Sequence, residues 1–392
     1  MLRIPSYTVC SAAGDGRDAL LRALRERRSG LTRNDFGTSP LDTWIGRVAG
    51  LEQEPLPSEY AQWECRNNRL AWRGLMADNF RDAALALRER YGRDRVAVVV
   101  GTSTSSIGAS EEAYSRLEPD GSYPPDLRRP IVHTPHSLGD FVQHALGLTG
   151  VSVTVATACS SSAKVFAQAD RLVRTGLADA AIVGGVDTLC GSVLFGFNSL
   201  ELVSPEPCRP FDVARRGINL GEAAGFAILE PHGTQGAWLA GYGESSDAHH
   251  MSSPHPEGFG ARLALRDALQ RARLEPRDID YINLHGTASQ KNDEVEAHVV
   301  ADTFPSTTFA SSTKAWTGHT LGAAGIVEAA ITLLALEHGF LPGTLNAREL
   351  DPVCGPQIRA ENGEGAVRHA LSFSFGFGGS NCVLVFTGSD AR

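Results

Sequence analysis

The sequence predicts an α/β protein made of two similar halves packed together. Apolar runs of strand length alternate with helical patterns along the whole chain. Several of those runs are continuously apolar, as in sheets buried on both faces. Two distant segments also echo each other: "VATACSSSAK" (155–164) and "ASSTKAWTGHTLGAAG" (310–325) each pass from a strand through a polar turn into a helix. The chain has 392 residues, 42% of them hydrophobic, which is enough for a large core or two joined ones. The break between halves is expected near Pro231 to Gly236, giving units of 1–235 and 236–392.

In chain order, the first expected strand is "RVAVVVG" (95–101). Then come "VSVTVAT" (151–157), "AAIVGGV" (180–186) and "GFAILE" (225–230). The second half supplies "WLAGYGE" (238–244), "DYINLHG" (280–286), "TFASSTK" (308–314) and "NCVLVF" (381–386). The helix from "SAKVFAQADRLVRTG" sets Val165, Ala169, Leu172 and Val173 on one face, and "ARLALRDALQRARL" turns Leu263, Ala264, Ala268 and Leu269 inward. "GAAGIVEAAITLLALEHG" is apolar almost all round and predicts a deeply buried helix. Segments 116–137 and 243–260, rich in Pro, Ser, His and charge, read as surface excursions near a site.

A net charge of −9 argues against a general nucleic-acid binder, which needs a basic surplus. The N-terminus has no signal-peptide pattern, and no uninterrupted apolar run reaches the roughly 18–20 residues of a membrane span. The expectation is a cytoplasmic protein. The seven cysteines are scattered and never form C-x-x-C, so neither a disulfide framework nor a zinc module is expected.

Cys159 sits where a strand turns into a helix. A helix N-terminus offers free N–H groups and partial positive charge, which favours a thiolate nucleophile. The same position suits a small core residue, and Cys159 alone does not decide between the two. Three further stretches do: "NLHGTASQKND" (283–293), "SSTKAWTGHTLGAAG" (311–325) and "SFSFGFGGSN" (372–381), the last read as a Gly/Phe loop before the final strand.

With "TACSSSA", these stretches resemble the motifs of β-ketoacyl-[acyl-carrier-protein] synthases of the ketoacyl synthase I/II branch, from about residue 5 to residue 387. The resemblance implies the thiolase-like fold: two βαβαβαββ halves in a five-layered α-β-α-β-α sandwich. It implies decarboxylative Claisen condensation of an acyl-Cys intermediate with malonyl-carrier, with no cofactor and no metal. Carried over by motif, Cys159 resembles the nucleophile, His285 and His319 the catalytic histidines, and Lys314 the lysine that supports them. Glu328 matches a buried acid behind them. Phe377, between Gly376 and Gly378, resembles a gating residue whose N–H forms an oxyanion hole with that of Cys159. Thr287 and Ser289 would touch the pantetheine arm, and Asp247 and His250 would lie in a second gating loop.

Ser289 and Ser380 replace family threonines, and Phe373 stands where an asparagine often helps bind a structural cation, so that ion is not expected here. Segments 66–71, 102–137 and 208–225 look more like synthases of bacterial aryl-polyene pathways. An acidic acyl carrier protein would be the partner, met by a local basic patch. Candidates are Arg66, Arg69 and Arg73 on one helix face, Arg128 and Arg129 in the loop, and Arg209. The subunit would pair with itself or with a chain-length-factor-like partner. Two other readings stay open: a non-catalytic partner subunit, and a thioester hydrolase using Cys159.

Overall fold

The computed structural model describes residues 1–233 and 235–389. Its first sheet holds β1 (Tyr7–Ser11), β2 (Val96–Gly101), β3 (Ser152–Val155), β4 (Ala180–Asp187) and β5 (Ala223–Leu229). Its second holds β6 (Ala237–Ser246), β7 (Tyr281–Leu284), β8 (Phe309–Ser312), β9 (His369–Gly376) and β10 (Ser380–Thr387). The order is β1-β5-β4-β2-β3 in one and β6-β10-β9-β7-β8 in the other. Parallel and antiparallel pairings also match step for step. A two-residue strand, Gly14–Asp15, extends the first sheet at β1, and Leu2–Ile4 extends the second at β6.

Alternation within each strand builds the layers. Val96, Val98 and Val100 face an outer core, while Ala97 and Val99 face the central one. In β10, Val383 and Val385 face the other outer core, while Cys382, Leu384 and Phe386 face the centre. One outer layer includes α1 (Arg66–Met76) with helices Phe80–Tyr91 and Ser137–Ala145. Between the sheets lies α2 (Ser161–Arg174), and α3 (Gly191–Ser199) flanks the site. The other outer layer holds α4 (Phe259–Ala272) and α5 (Gln290–Thr303), and α6 (Ala324–His338) joins α2 in the middle. This is the five-layered α-β-α-β-α arrangement.

All eight expected strands are present. Helix α6 is apolar all round because both sheets cover it, and every residue from Ala324 to Ala335 is buried. The apolar stretch Leu321–His338 has the length and composition to cross a membrane, but it is the central core helix. Two expectations need correcting. In α4, Leu265 rather than Leu263 is fully buried. "SFSFG" is part of strand β9, not a loop: it alternates Phe and Ser because Phe373 fills the outer core while Ser374 points at Glu328.

Candidate active site

Cys159, His285 and Lys314 all follow the carboxyl ends of strands β3, β7 and β8, where an α/β sheet leaves its backbone groups facing a cleft. Cys159 lies in a sharp turn between β3 and α2. Ala158, just before it, is left-handed at φ 51, and its carbonyl accepts the N–H and Oγ–H of Ser161. Ala288 (φ 68) and Leu321 (φ 57) carry the same conformation beside the two histidines. Non-glycine residues in that region are strained, and such strain gathers at functional sites.

The three side chains converge. One ligand-type atom from each of Cys159, His285 and His319 lies within 4.8 Å of the others. His319 Nε2 is 3.0 Å from Cys159 Sγ, and the imidazole planes of His285 and His319 are nearly perpendicular. All are buried, as is Lys314.

Hydrogen bonds fix the imidazole tautomers. The Leu321 N–H donates to His319 Nδ1 at 3.3 Å, and the Lys314 ammonium reaches His285 Nδ1 at 3.4 Å. Each Nδ1 is therefore an acceptor, and each neutral ring carries its proton on Nε2. The other two ammonium protons of Lys314 go to the His285 carbonyl at 2.5 Å and to Glu328 Oε1. Burial, then the charge of Lys314, hold both imidazoles well below the ordinary histidine range, and for His285 the neighbouring His319 adds to this. Burial lifts the Glu328 carboxyl above the usual range even with Lys314 against it.

This tautomer pair also speaks to two alternatives. A metal held by Cys159, His285 and His319 would need bare Nε2 atoms, so both rings would have to turn an Nδ1–H toward the donors that now face them. A hydrolase would need His319 as a base, oriented by a carboxylate on Nδ1–H; here Nδ1 meets an N–H donor.

The expected lowering of the thiol does not hold at rest. Burial pushes Cys159 up to about 11, while Lys314 and the Phe377 N–H pull it down. The low-dielectric surroundings outweigh the helix start. The Phe377 N–H is nonetheless within hydrogen-bonding reach of Sγ.

The turn Gly376–Gly379 needs its glycines. Gly378 and Gly379 have φ of 75 and 73, and a Cβ on Gly379 would lie 2.7 Å from that of Asp247. The Phe377 ring lies 5.4 Å from that of Phe197 on α3. Gly378 N–H donates to the Met251 carbonyl, Asp247 N–H to the Gly379 carbonyl, and Asn381 Nδ2 to Asp247 Oδ1. The two loops are thus stitched together.

A cavity of about 310 Å³ opens over Cys159, lined by His285, His319, Phe377, Thr287, Ser289 and Asp247 among others. The Thr287 and Ser289 hydroxyls are 2.9 Å apart, Gly376 also lines the cavity, and Ser380 accepts from Lys164 at 2.7 Å. His250 is not brought in: it is exposed, and its Nδ1 accepts the Ser252 and Ser253 N–H groups in a surface turn.

The three α1 arginines each have acidic partners within the chain. Arg66 is paired with Glu52 and with the fully buried Glu222, Arg69 with Glu64, and Arg73 with Asp15. Arg66 reaches inward to Glu222, while Arg73 meets Asp15 at the surface. Arg129 donates to the Glu64 carbonyl and Arg209 to Glu206, while Arg128 is exposed on its own loop, bonded to Tyr123 and Ser122.

Sequence reasoning missed Glu296 and Asp293. Glu296 takes the His285 and Gly286 N–H groups at 2.7 Å each, and Asp293 takes those of Phe211 and Ala288. The signal was there in "NDEVE" (292–296), three acids in the first turns of the helix that follows the His285 loop.

The β-ketoacyl synthase N-terminal domain family matches residues 70–234, and the C-terminal domain family matches residues 236–348. Nodulation protein E of Rhizobium sp. (strain N33) is 33% identical, over 95% of this chain and 96% of its own. The 3-oxoacyl-[acyl-carrier-protein] synthase 2 of Staphylococcus aureus is 33% identical over 78% of this chain and 80% of its own. Among solved structures, the ketosynthase ApeO in complex with its chain length factor ApeC, from Xenorhabdus doucetiae, superposes with a TM-score of 0.89. It is 36% identical and covers 99% of this chain and 98% of its own. The convergent cysteine and two histidines thus lie in a chain that belongs to the β-ketoacyl synthase family, an acyltransferase of the 3-oxoacyl-[acyl-carrier-protein] synthase type.

Proposed function

We propose that Cys159, His285, His319 and Lys314 carry out the condensation as follows. The Cys159 thiolate attacks an acyl thioester, forming a new C–S bond. The departing carrier thiolate takes up the proton that Cys159 gives up. The Phe377 and Cys159 N–H groups hold the tetrahedral oxyanion. Malonyl-carrier then enters and loses CO2, and the electron pair passes into an enolate. Both Nε2–H groups donate to the enolate oxygen. The enolate carbon attacks acyl-Cys159, expels the thiolate, and leaves a β-ketoacyl thioester on the carrier.

One observation carries this reading: both imidazoles are held neutral, with their Nε2 protons available at a common point beside Sγ. Glu328 secures the lysine, and Thr287, Ser289 and Asp247 border the pantetheine path. The chain lengthened is of the aryl-polyene kind, supported by the likeness to ApeO across nearly the whole chain. The partners are an acidic acyl carrier protein and a second subunit, either another copy or a chain-length-factor-like protein. Edge strand β3 is the contact proposed for that subunit. The chain divides into halves at 235 and 236, and works in the cytoplasm, where its free thiols stay reduced.

The test is intact-protein mass after incubation of wild type and Cys159→Ala with acyl-carriers of varied length and unsaturation, followed by malonyl-carrier. An adduct on wild type alone, discharged as a β-keto product and preferring aryl-enoyl primers, is expected. Rapid loss of the adduct without malonyl-carrier would favour hydrolysis. Efficient extension of long saturated chains, with none of aryl-enoyl primers, would sink the aryl-polyene assignment.

A further inference from the structure

We propose that Arg216 and Lys291 form a cationic clamp at the mouth of the cavity, gripping the phosphate of a phosphopantetheine thioester. The proposal rests on the condensing reading above. Both residues line the same cavity as Cys159. Their side chains are 60% and 74% exposed, at its solvent end.

They come from separate segments that the fold binds together. Arg215 donates to the Gln290 carbonyl at 3.2 Å, and Gln290 Nε2 donates back to the Arg215 carbonyl at 2.8 Å. Gly217 N–H donates to the Ala288 carbonyl. Arg215 is itself buried and tied to Asp351 at 2.6 Å. Arg216 and Lys291 therefore each stand one residue beyond this double bond, on opposite sides of one fixed seam.

Their present partners are weak. Arg216 is 3.4 Å from Glu206 and Lys291 is 3.7 Å from Glu294, both pairs open to solvent. Such pairs contribute little and yield readily to a phosphate. Of the lining carboxylates, Asp247 is occupied by Asn381 and the His255 N–H, which leaves Glu201 as the competing charge among the described residues. Thr287, Ser289 and Asn292 line the same cavity and offer polar groups suited to an amide-bearing arm. The phosphate would rest outside, with the thioester at Sγ.

The experiment compares Cys159 acylation by an acyl-pantetheine and by the same acyl-4′-phosphopantetheine, followed by intact mass at subsaturating donor. The wild type should favour the phosphorylated donor about three- to tenfold, the worth of one or two exposed ionic contacts. Raised salt should shrink that ratio. In Arg216→Gln/Lys291→Gln it should fall to about one, and in Arg216→Lys/Lys291→Arg it should persist. A wild-type ratio of one, or a ratio unmoved in the Gln double variant, overturns the clamp. Acylation by neither donor in the wild type overturns the condensing reading beneath it. Acyl-carrier, acyl-coenzyme A and acyl-phosphopantetheine compared in parallel separate the two biological sources: a carrier source predicts the strongest Gln-variant loss with acyl-carrier. If the loss is confined to acyl-coenzyme A, the clamp does not serve carriers as proposed.

Discussion

Lys314 exerts two influences that one substitution removes together. Its ammonium fixes the His285 tautomer, and its charge opposes protonation of both imidazoles. A histidine with a depressed pKa stays neutral down to that lower value, so the acid limb of malonyl-carrier decarboxylation should lie well below pH 6.5. In Lys314→Met the opposing charge is gone, both values rise, and the limb should move up toward neutrality. Decarboxylation at pH 7 should fall by about 10²–10³-fold with loss of the ordered donor. An unmoved limb in stopped-flow CO2 release would sink this account. Cys159 obeys the opposite logic. With burial pushing its value up to about 11, the thiol stays protonated around neutral pH. Iodoacetamide inactivation should therefore climb about tenfold per pH unit from 7 to 9. A plateau near pH 7 would show that the helix start has won after all.

The loop between β7 and α5 depends on Glu296, whose two oxygens take the His285 and Gly286 N–H groups. Glu296→Ala strands both donors in the interior, so it should cost about 2–4 kcal/mol and lower the denaturation midpoint. Glu296→Gln keeps one acceptor and should lose less. If activity stays whole in the Ala variant, the loop holds His285 by other means. The turn at Gly378 and Gly379 makes a parallel case. Gly379→Ala meets both a left-handed φ and the Asp247 side chain, so Cys159 acylation should drop while the core stays folded by circular dichroism. The sequence made much of this legible. Strands that are continuously apolar announced burial on both faces, and motif order placed Cys159, His285, Lys314 and His319. What stayed hidden depended on partners far away in the chain. Arg66 looks like a free charge until Glu222, 156 residues on, turns inward beneath it. Ser374 and Phe373 read as a loop because neither shows its facing sheet neighbour.

The molecule is one topology written twice, and the site exists because the copies meet. Cys159 comes from the first sheet and both histidines from the second, while α2 and α6 pack together between them. The doubling leaves two parallel edge strands, β3 and β8. Of these, β3 is the half-exposed one, with Val151, Val153 and Val155 each partly open. Its inward bonds run from the Val151 and Val155 carbonyls to Val98 and Thr102. By the pleat, Ser152 and Thr154 direct their backbone groups outward, where a second subunit's edge could pair with them. Thr154 also holds His136 at 2.7 Å, so Ser152 is the cleaner site to change. Proline there removes one outward N–H and leaves the ladder to β2 intact, as edge strands allow. Ser152→Pro should therefore convert the assembly, measured by light scattering on a sizing column, from two subunits to one. The monomer should keep its thermal transition but lose acylation of Cys159, since the thiol lies only a short turn beyond this strand. A Ser152→Pro protein that still runs as two subunits would move the interface elsewhere. A wild type that is monomeric until mixed with a chain-length-factor-like protein would assign the same edge to that partner.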